Sequence, residues 1–231
     1  MEKNLLIQSA RVIDPDGQHH GKVLDVRIHE GMVVEIGQGL SHQGEEVWCQ
    51  EGACISPGWF DGQAHFRDPG EEVKEGLENG ARAAQNGGFT DVAILPSTTP
   101  PLDHKAEVHY LHRRAEGLPV AVHPIGALSS GLKGTNLAEL HDLRQAGVVG
   151  FYDDGPTEHP ELLRRGLEYA SDMGVAIWSL PLEGRLNAGA VMHEGSTSTA
   201  LGLMGSPEIV ETMRRLGGPA PGGLAVPPGL R

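Results

Sequence analysis

The residues best placed for metal chemistry follow an apolar run, Cys54 to Phe60, that leads into Gln63-Ala64-His65. Alternate side chains of a strand point to one face, so a histidine at each end of that triplet would present two imidazoles as metal ligands. Gln63 occupies the first of these positions, and its neutral amide is a poor ligand for a Lewis-acidic metal. The pattern therefore indicates a metal-binding strand end that has lost one of its two ligands.

The stretch from residue 56 to residue 100 resembles the dihydroorotase family of the amidohydrolase superfamily, which also contains allantoinases and hydantoinases. The family pattern runs P-G-x-x-D-x-H-x-H-x-R-x-P-G, then K-E, G-G-F-T and M-P-N-T-x-P. The corresponding segments here are Pro57 to Gly70, Lys74-Glu75, Gly87 to Thr90 and Leu95 to Pro100. The resemblance extends from residue 1 to about residue 216, and it implies a (β/α)8-barrel fold and zinc-dependent hydrolysis of ring amides.

The resemblance implies roles for four residues. His65 matches a metal-binding histidine, and Asp154 matches an aspartate that ligates the metal in dihydroorotases without a carboxylated lysine. Arg67 matches the arginine that binds the substrate carboxylate, a task suited to a planar bidentate donor. Ser97 stands where the family has a substrate-binding asparagine.

Each of these residues also has a purely structural interpretation. His65 can be a hydrogen-bonded histidine at a barrel mouth, and Ser97 can be a loop residue before a Pro-Pro turn. Asp154, with its neighbour Asp153, can serve as a turn or helix-capping residue. The sequence leaves these alternatives open.

The chain departs from the family pattern at further ligand positions. Leu180 stands where the family has a zinc-binding histidine, and leucine has no lone pair to offer. Another histidine and an aspartate of the family pattern fall beyond residue 231. A catalytic zinc needs about three protein ligands and one open position. Only His65 and Asp154 remain of the expected set, so we expect zinc to bind weakly or not at all.

These departures predict a catalytically inactive dihydroorotase-like protein of pyrimidine biosynthesis. Some family members that have lost their metal ligands act as non-catalytic companions of aspartate carbamoyltransferase, so the resemblance implies that enzyme as the partner. One alternative is an active metal-dependent cyclic amidohydrolase, of the dihydroorotase or allantoinase type, acting on a small cyclic amide. Another is a non-functional gene fragment.

The elements that must position these residues alternate between strand and helix from residue 55 onward, which predicts a parallel sheet. Periodicity alone does not separate an open doubly wound sheet from a barrel, and the family resemblance favours the barrel. Candidate strands are Ile55–Phe60, Asp91–Leu95, Ala121–Ile125, Val148–Tyr152 and Val175–Trp178. Candidate helices are Glu72–Asn86, His104–Glu116, Leu137–Ala146, Pro160–Met173 and Pro207–Leu216.

We therefore predict an α/β fold, a partial (β/α)8 barrel of about five strands preceded by a small β-sandwich segment. The predicted limits are 1–54 for the sandwich segment, 55–216 for the incomplete barrel and 217–231 for a disordered Gly/Pro-rich tail. Such a tail resembles a frameshifted or truncated gene. The open strand edges of an incomplete barrel predict a chain that forms oligomers or depends on a partner.

Composition excludes several classes of partner. A net charge of −13 over 231 residues argues against nucleic acid and anionic membranes. Cys49 and Cys54 match no zinc spacing and form no disulfide framework, which favours reduced thiols. The N-terminal residues have no secretory pattern, and no apolar run reaches the length of a membrane helix. We expect a cytoplasmic protein.

Overall fold

The computed structural model describes residues 4–156, 159–180, 182 and 187–207. The chain divides into two compact units, an N-terminal unit up to Gly58 and a barrel unit from Trp59 onward. The limits of 1–54, 55–216 and 217–231 stay a prediction. The tail and nearly all of the helix expected at 207–216 lie outside the described residues.

The described part of the N-terminal unit forms one five-stranded sheet in the order β3-β2-β1-β4, with β5 also paired to β1. Its strands are β1 (Leu5–Val12), β2 (Val23–His29), β3 (Met32–Gly37), β4 (Glu46–Cys49) and β5 (Cys54–Ile55). Glu30 and Gly31 join β2 to β3 with φ angles of 49° and 77°. Two positive φ angles match the twist of a tight hairpin.

The barrel unit is built on five parallel strands that pair in the order β10-β9-β8-β7-β6. These strands are β6 (Trp59–Ala64), β7 (Phe89–Ile94), β8 (Ala121–Ala127), β9 (Gly150–Tyr152) and β10 (Ala176–Ile177). A doubly wound sheet reverses its strand order at a switch point. Here the order follows the chain without reversal, so the sheet is a curled half-barrel and the predicted fold class is confirmed.

Helices connect successive strands of the half-barrel. They are α1 (Leu77–Asn86), α2 (Lys105–Ala115), α3 (Leu140–Ala146) and α4 (Pro160–Met173), followed by the shorter α5 (Ser196–Leu201). Gly147 and Gly174 end α3 and α4 in the left-handed conformation, with φ angles of 107° and 63°, as the sequence predicts. None of the described helices combines the length and apolar character needed to cross a bilayer.

Several predicted boundaries differ from the structure, and the largest differences are at the first barrel strand and the first helix. The first barrel strand was expected at 55–60, but β6 begins at Trp59 and continues to Ala64. The first helix was expected from Glu72, but α1 begins at Leu77. Glu71 and Gly76 instead donate backbone hydrogen bonds to the carbonyls of Arg67 and Phe66. The segment before α1 therefore closes a loop over the end of β6 before helix formation starts.

The two faces of the half-barrel pack differently because side chains alternate along each strand. On β7, Val92 and Ile94 point to the helices, where they contact residues such as Leu77 and Leu111. Ala93 points to the concave face and belongs to a cluster with Leu95, Ile125 and Tyr152. This alternation fixes which residues reach the mouth of the half-barrel.

Candidate functional site

The predicted site residues follow the carboxyl ends of strands of the half-barrel. His65 comes directly after β6, Ser97 lies shortly after β7, and Asp154 lies shortly after β9. Parallel strands of a barrel bring their carboxyl ends to one rim, which is where active sites of this architecture lie. The fold therefore gathers these residues at one mouth.

The side chains of His65, Ser97 and Asp154 form a hydrogen-bonded group, here named the mouth cluster. The Nε2 atom of His65 lies 2.8 Å from Oδ2 of Asp154. The hydroxyl of Ser97 donates to the same carboxylate oxygen at 2.5 Å. The His65 side chain is 40% exposed and that of Asp154 is 20% exposed, so the cluster is open to solvent from the histidine side.

Arg67 lies next to this cluster through the backbone of Ser97. Its Nη1 atom donates to the Ser97 carbonyl oxygen at 3.0 Å. The same guanidinium lies 3.6 Å from Oε2 of Glu71, four residues further along the same loop. The structure thus brings the two predicted substrate-binding residues together, and it adds Glu71, which sequence reasoning missed because the pair lies in a loop and not in a helix.

Gln63 lies outside the mouth cluster. Its side chain is exposed, and its backbone N–H donates to Oδ1 of Asp61 at 3.0 Å. Together with His65 it lines an open cleft of about 420 Å³ between β6 and α1. Leu180, the other altered ligand position, is 39% exposed. Neither residue offers a metal ligand where the family pattern has one.

The donor set does not fit a catalytic zinc centre. An ionised carboxylate offers only acceptors, so in the contact between His65 and Asp154 the imidazole Nε2 carries the proton and has no free lone pair. Within the parts of the chain that the structure describes, no group of three or more His, Cys, Asp or Glu side chains could hold a metal ion. His65 and Asp154 bond to each other instead of converging on a common point.

Asp153, the neighbour of Asp154, has a structural role. Its Oδ1 atom accepts a hydrogen bond from the backbone N–H of Ser129 at 2.8 Å, which ties the end of β9 to the loop after β8. Burial, and then the charges of Asp154 and Asp153, raise the pKa of Tyr152 above its usual value. Asp153 therefore stabilises the fold through a long-range bond and not as a local turn or cap, while Asp154 belongs to the mouth cluster.

A second polar network, not foreseen from the sequence, holds the loop that carries Arg67. The Asp68 side chain is 2% exposed, and its Oδ1 accepts a hydrogen bond from the Tyr110 hydroxyl at 3.1 Å. Arg114 lies 3.5 Å from Oδ2 of Asp68 and 3.0 Å from Glu78. Tyr110 and Arg114 are four residues apart on α2, a spacing that places them on one helix face. The spacing of Tyr110 and Arg114 was the one feature of the sequence that could have indicated this network.

The mouth cluster also lacks the order needed to activate a nucleophile. In a catalytic triad the histidine lies between the serine and the carboxylate, so that it can take the serine proton. Here Asp154 lies in the middle and accepts from both Ser97 and His65. The arrangement binds two donors to one carboxylate oxygen and gives Ser97 no imidazole base.

Comparison with known proteins places this geometry in a family context. A family model described as Dihydro-orotase-like matches residues 52–216. The dihydroorotase of Pelobacter propionicus is 44% identical over 211 residues, covering 90% of this chain and 50% of that protein. The dihydroorotase of Geobacter sulfurreducens is 45% identical over 212 residues, covering 90% of this chain and 49% of that protein. The chain thus spans about half the length of the curated relatives it matches.

Solved structures show the same fold at lower sequence identity. An L-hydantoinase (dihydropyrimidinase) from Arthrobacter aurescens superposes with a TM-score of 0.65 at 18% identity, over 80% of this chain and 42% of that one. A crystal structure of a dihydroorotase superposes with a TM-score of 0.55 at 16% identity, over 76% of this chain and 50% of that one. These likenesses support the half-barrel assignment.

Proposed function

Because the chain belongs to the dihydroorotase-like family, we propose that it is a non-catalytic dihydroorotase-like protein of pyrimidine biosynthesis. Its role is that of a structural companion of aspartate carbamoyltransferase. Ring-amide hydrolysis in this family depends on a metal, and the proposal is that this chain does not hold one in a catalytic arrangement. Pyrimidine biosynthesis also implies a cytoplasmic location.

The observation that carries the proposal is the direct contact between His65 and Asp154. Both residues match metal-ligand positions of the family pattern, and each uses the other as its hydrogen-bond partner. Gln63 and Leu180 stand at the two altered ligand positions. A catalytic zinc centre requires about three protein ligands and an open position. These four residues do not provide that arrangement.

Features of the sheet support association with another protein. In the described sheet, β6 and β10 each pair with a single neighbouring strand. The edge strand of a sheet presents backbone donors and acceptors to a partner chain. Phe60 on β6 remains 44% exposed, which adds apolar surface beside that edge. An edge of this kind suits a protein that works within an assembly.

A second candidate is an active cyclic amidohydrolase that takes dihydroorotate or a related ring amide. The observation in its favour is the contact between Arg67 and Ser97, which keeps a guanidinium at the mouth of the half-barrel where a substrate carboxylate would bind. Under this alternative, Arg67 binds the carboxylate of the ring amide and orients the substrate at the mouth.

Three measurements on the purified full chain separate the two candidates. Elemental analysis after mild dialysis should find well below one zinc per chain, and dihydroorotate formation and hydrolysis should equal the blank. Co-sedimentation with the aspartate carbamoyltransferase of the same organism should show a defined complex. Turnover at an enzyme-like rate with one or two tightly held metals would establish the active alternative, and failure to bind the enzyme would remove the companion role.

A further inference from the structure

The mouth cluster joins three separate segments through one oxygen atom. Oδ2 of Asp154 receives the Ser97 hydroxyl from the segment after β7 and the His65 imidazole from the segment after β6. Arg67 adds a third link by donating to the Ser97 carbonyl. The carboxyl ends of β6, β7 and β9 are therefore held by side-chain hydrogen bonds at the rim.

The backbone at this rim needs such support. Arg67 and Asp154 have φ angles of 59° and 52°, in the left-handed region that is unfavourable for residues with a Cβ atom. Residues held in this region persist when surrounding contacts fix them. The hydrogen bonds of Asp154 and Arg67, together with the contact between Arg67 and Glu71, support these two positions.

We propose that the mouth cluster is a metal-independent clasp, in which Ser97 and His65 satisfy the Asp154 carboxylate at the place where the family pattern has a metal ion. Ser97 is central to this role because its short side chain brings a hydroxyl proton to Oδ2 of Asp154. Hydrogen bonds to a charged partner are stronger than those between neutral groups, so the clasp stabilises the half-barrel measurably.

The inference rests on the proposed function only in that both require His65 to hold no metal. The two can fail separately. Turnover and binding of aspartate carbamoyltransferase test the proposed function, whereas the clasp is tested by the stability of the chain and by the protonation of His65.

The first test measures thermal unfolding of the full chain in EDTA and again with added zinc. Ser97→Ala should lower the unfolding midpoint by about 4 °C, by the same amount in both solutions. Ser97→Thr keeps the hydroxyl and should recover most of the loss. Ser171→Ala, at an exposed position within α4, is the matched control and should not lower the midpoint, because alanine favours helix.

Two outcomes would overturn the clasp. One is that Ser97→Ala unfolds at the same temperature as Ser171→Ala. The other is that zinc raises the wild-type midpoint by several degrees and EDTA abolishes the rise, which would show that the cluster is a metal site.

A second measurement tests the clasp even if the Ser97→Ala variant does not fold. Nitrogen-15 NMR of the wild-type chain, assigned by comparison with His65→Gln, should show that Nε2 of His65 carries a proton. One equivalent of zinc should leave that signal unchanged. Loss of the Nε2 proton on zinc addition would contradict the proposal.

Discussion

The buried carboxylate of Asp68 should contribute more to stability than the exposed carboxylate of Glu78, although both contact the same guanidinium. Arg114 lies closer to Glu78, at 3.0 Å, than to Asp68, at 3.5 Å. The Glu78 side chain is 63% exposed, whereas that of Asp68 is 2% exposed. Exposed ion pairs are weakened by water and by salt, while loss of one partner of a buried carboxylate leaves an unsatisfied polar group.

The informative change is Asp68→Asn. The new amide oxygen can still accept the Tyr110 hydrogen bond, but the amide nitrogen then faces the Arg114 guanidinium, so two donors meet in a buried site. A buried donor without an acceptor costs about 2 kcal/mol, which for a chain of this size lowers the unfolding midpoint by about 6 °C. Glu78→Gln removes the charge of the closer carboxylate and should shift the midpoint by less than half as much.

Thermal unfolding followed by far-ultraviolet circular dichroism measures both variants, at low salt and again in 0.5 M sodium chloride. The small effect of Glu78→Gln should shrink further in salt, and that of Asp68→Asn should persist, because screening acts on exposed charges. Equal losses in the two variants, or a larger loss in Glu78→Gln, would refute the argument that burial outweighs distance at this network.

Three further predictions concern packing, pH and metal content. Gly80→Ala places a Cβ atom 2.4 Å from the Phe66 ring, so it should lower the urea midpoint despite the better helix propensity of alanine. Burial and the bond to Asp68 raise the pKa of Tyr110. The unfolded chain therefore loses its tyrosine proton first, stability should fall as pH rises beyond about 10, and Tyr110→Phe should flatten that fall in a pH series of unfolding midpoints. Restoring histidine at both altered positions, with Gln63→His and Leu180→His, should raise the zinc retained after dialysis towards one per chain, as measured by elemental analysis.

Much of the fold could be predicted because local physical signals and tertiary structure agree. Pro160 at the start of α4 and Gly174 at its end mark that helix, whose bounds are those predicted. The apolar run from Val92 to Leu95 likewise lies in the strand predicted at 91–95, which overlaps β7. The start of α1 was wrong because the helical pattern from Glu72 competes with loop hydrogen bonds to Arg67 and Phe66, which only the folded chain forms.

The candidate site could likewise be predicted only in part from the sequence. The sequence by itself determined which ligand types are present, since Gln63 and Leu180 can be read directly and neither side chain suits a catalytic zinc. Only the tertiary structure decided that His65, Ser97 and Asp154 share one carboxylate oxygen, because they lie on three segments far apart in the chain. Whether a residue meets a metal, a substrate or a neighbour depends on distances between strand ends. Strand pairing and curvature determine those distances, and neither is encoded in any short stretch of sequence.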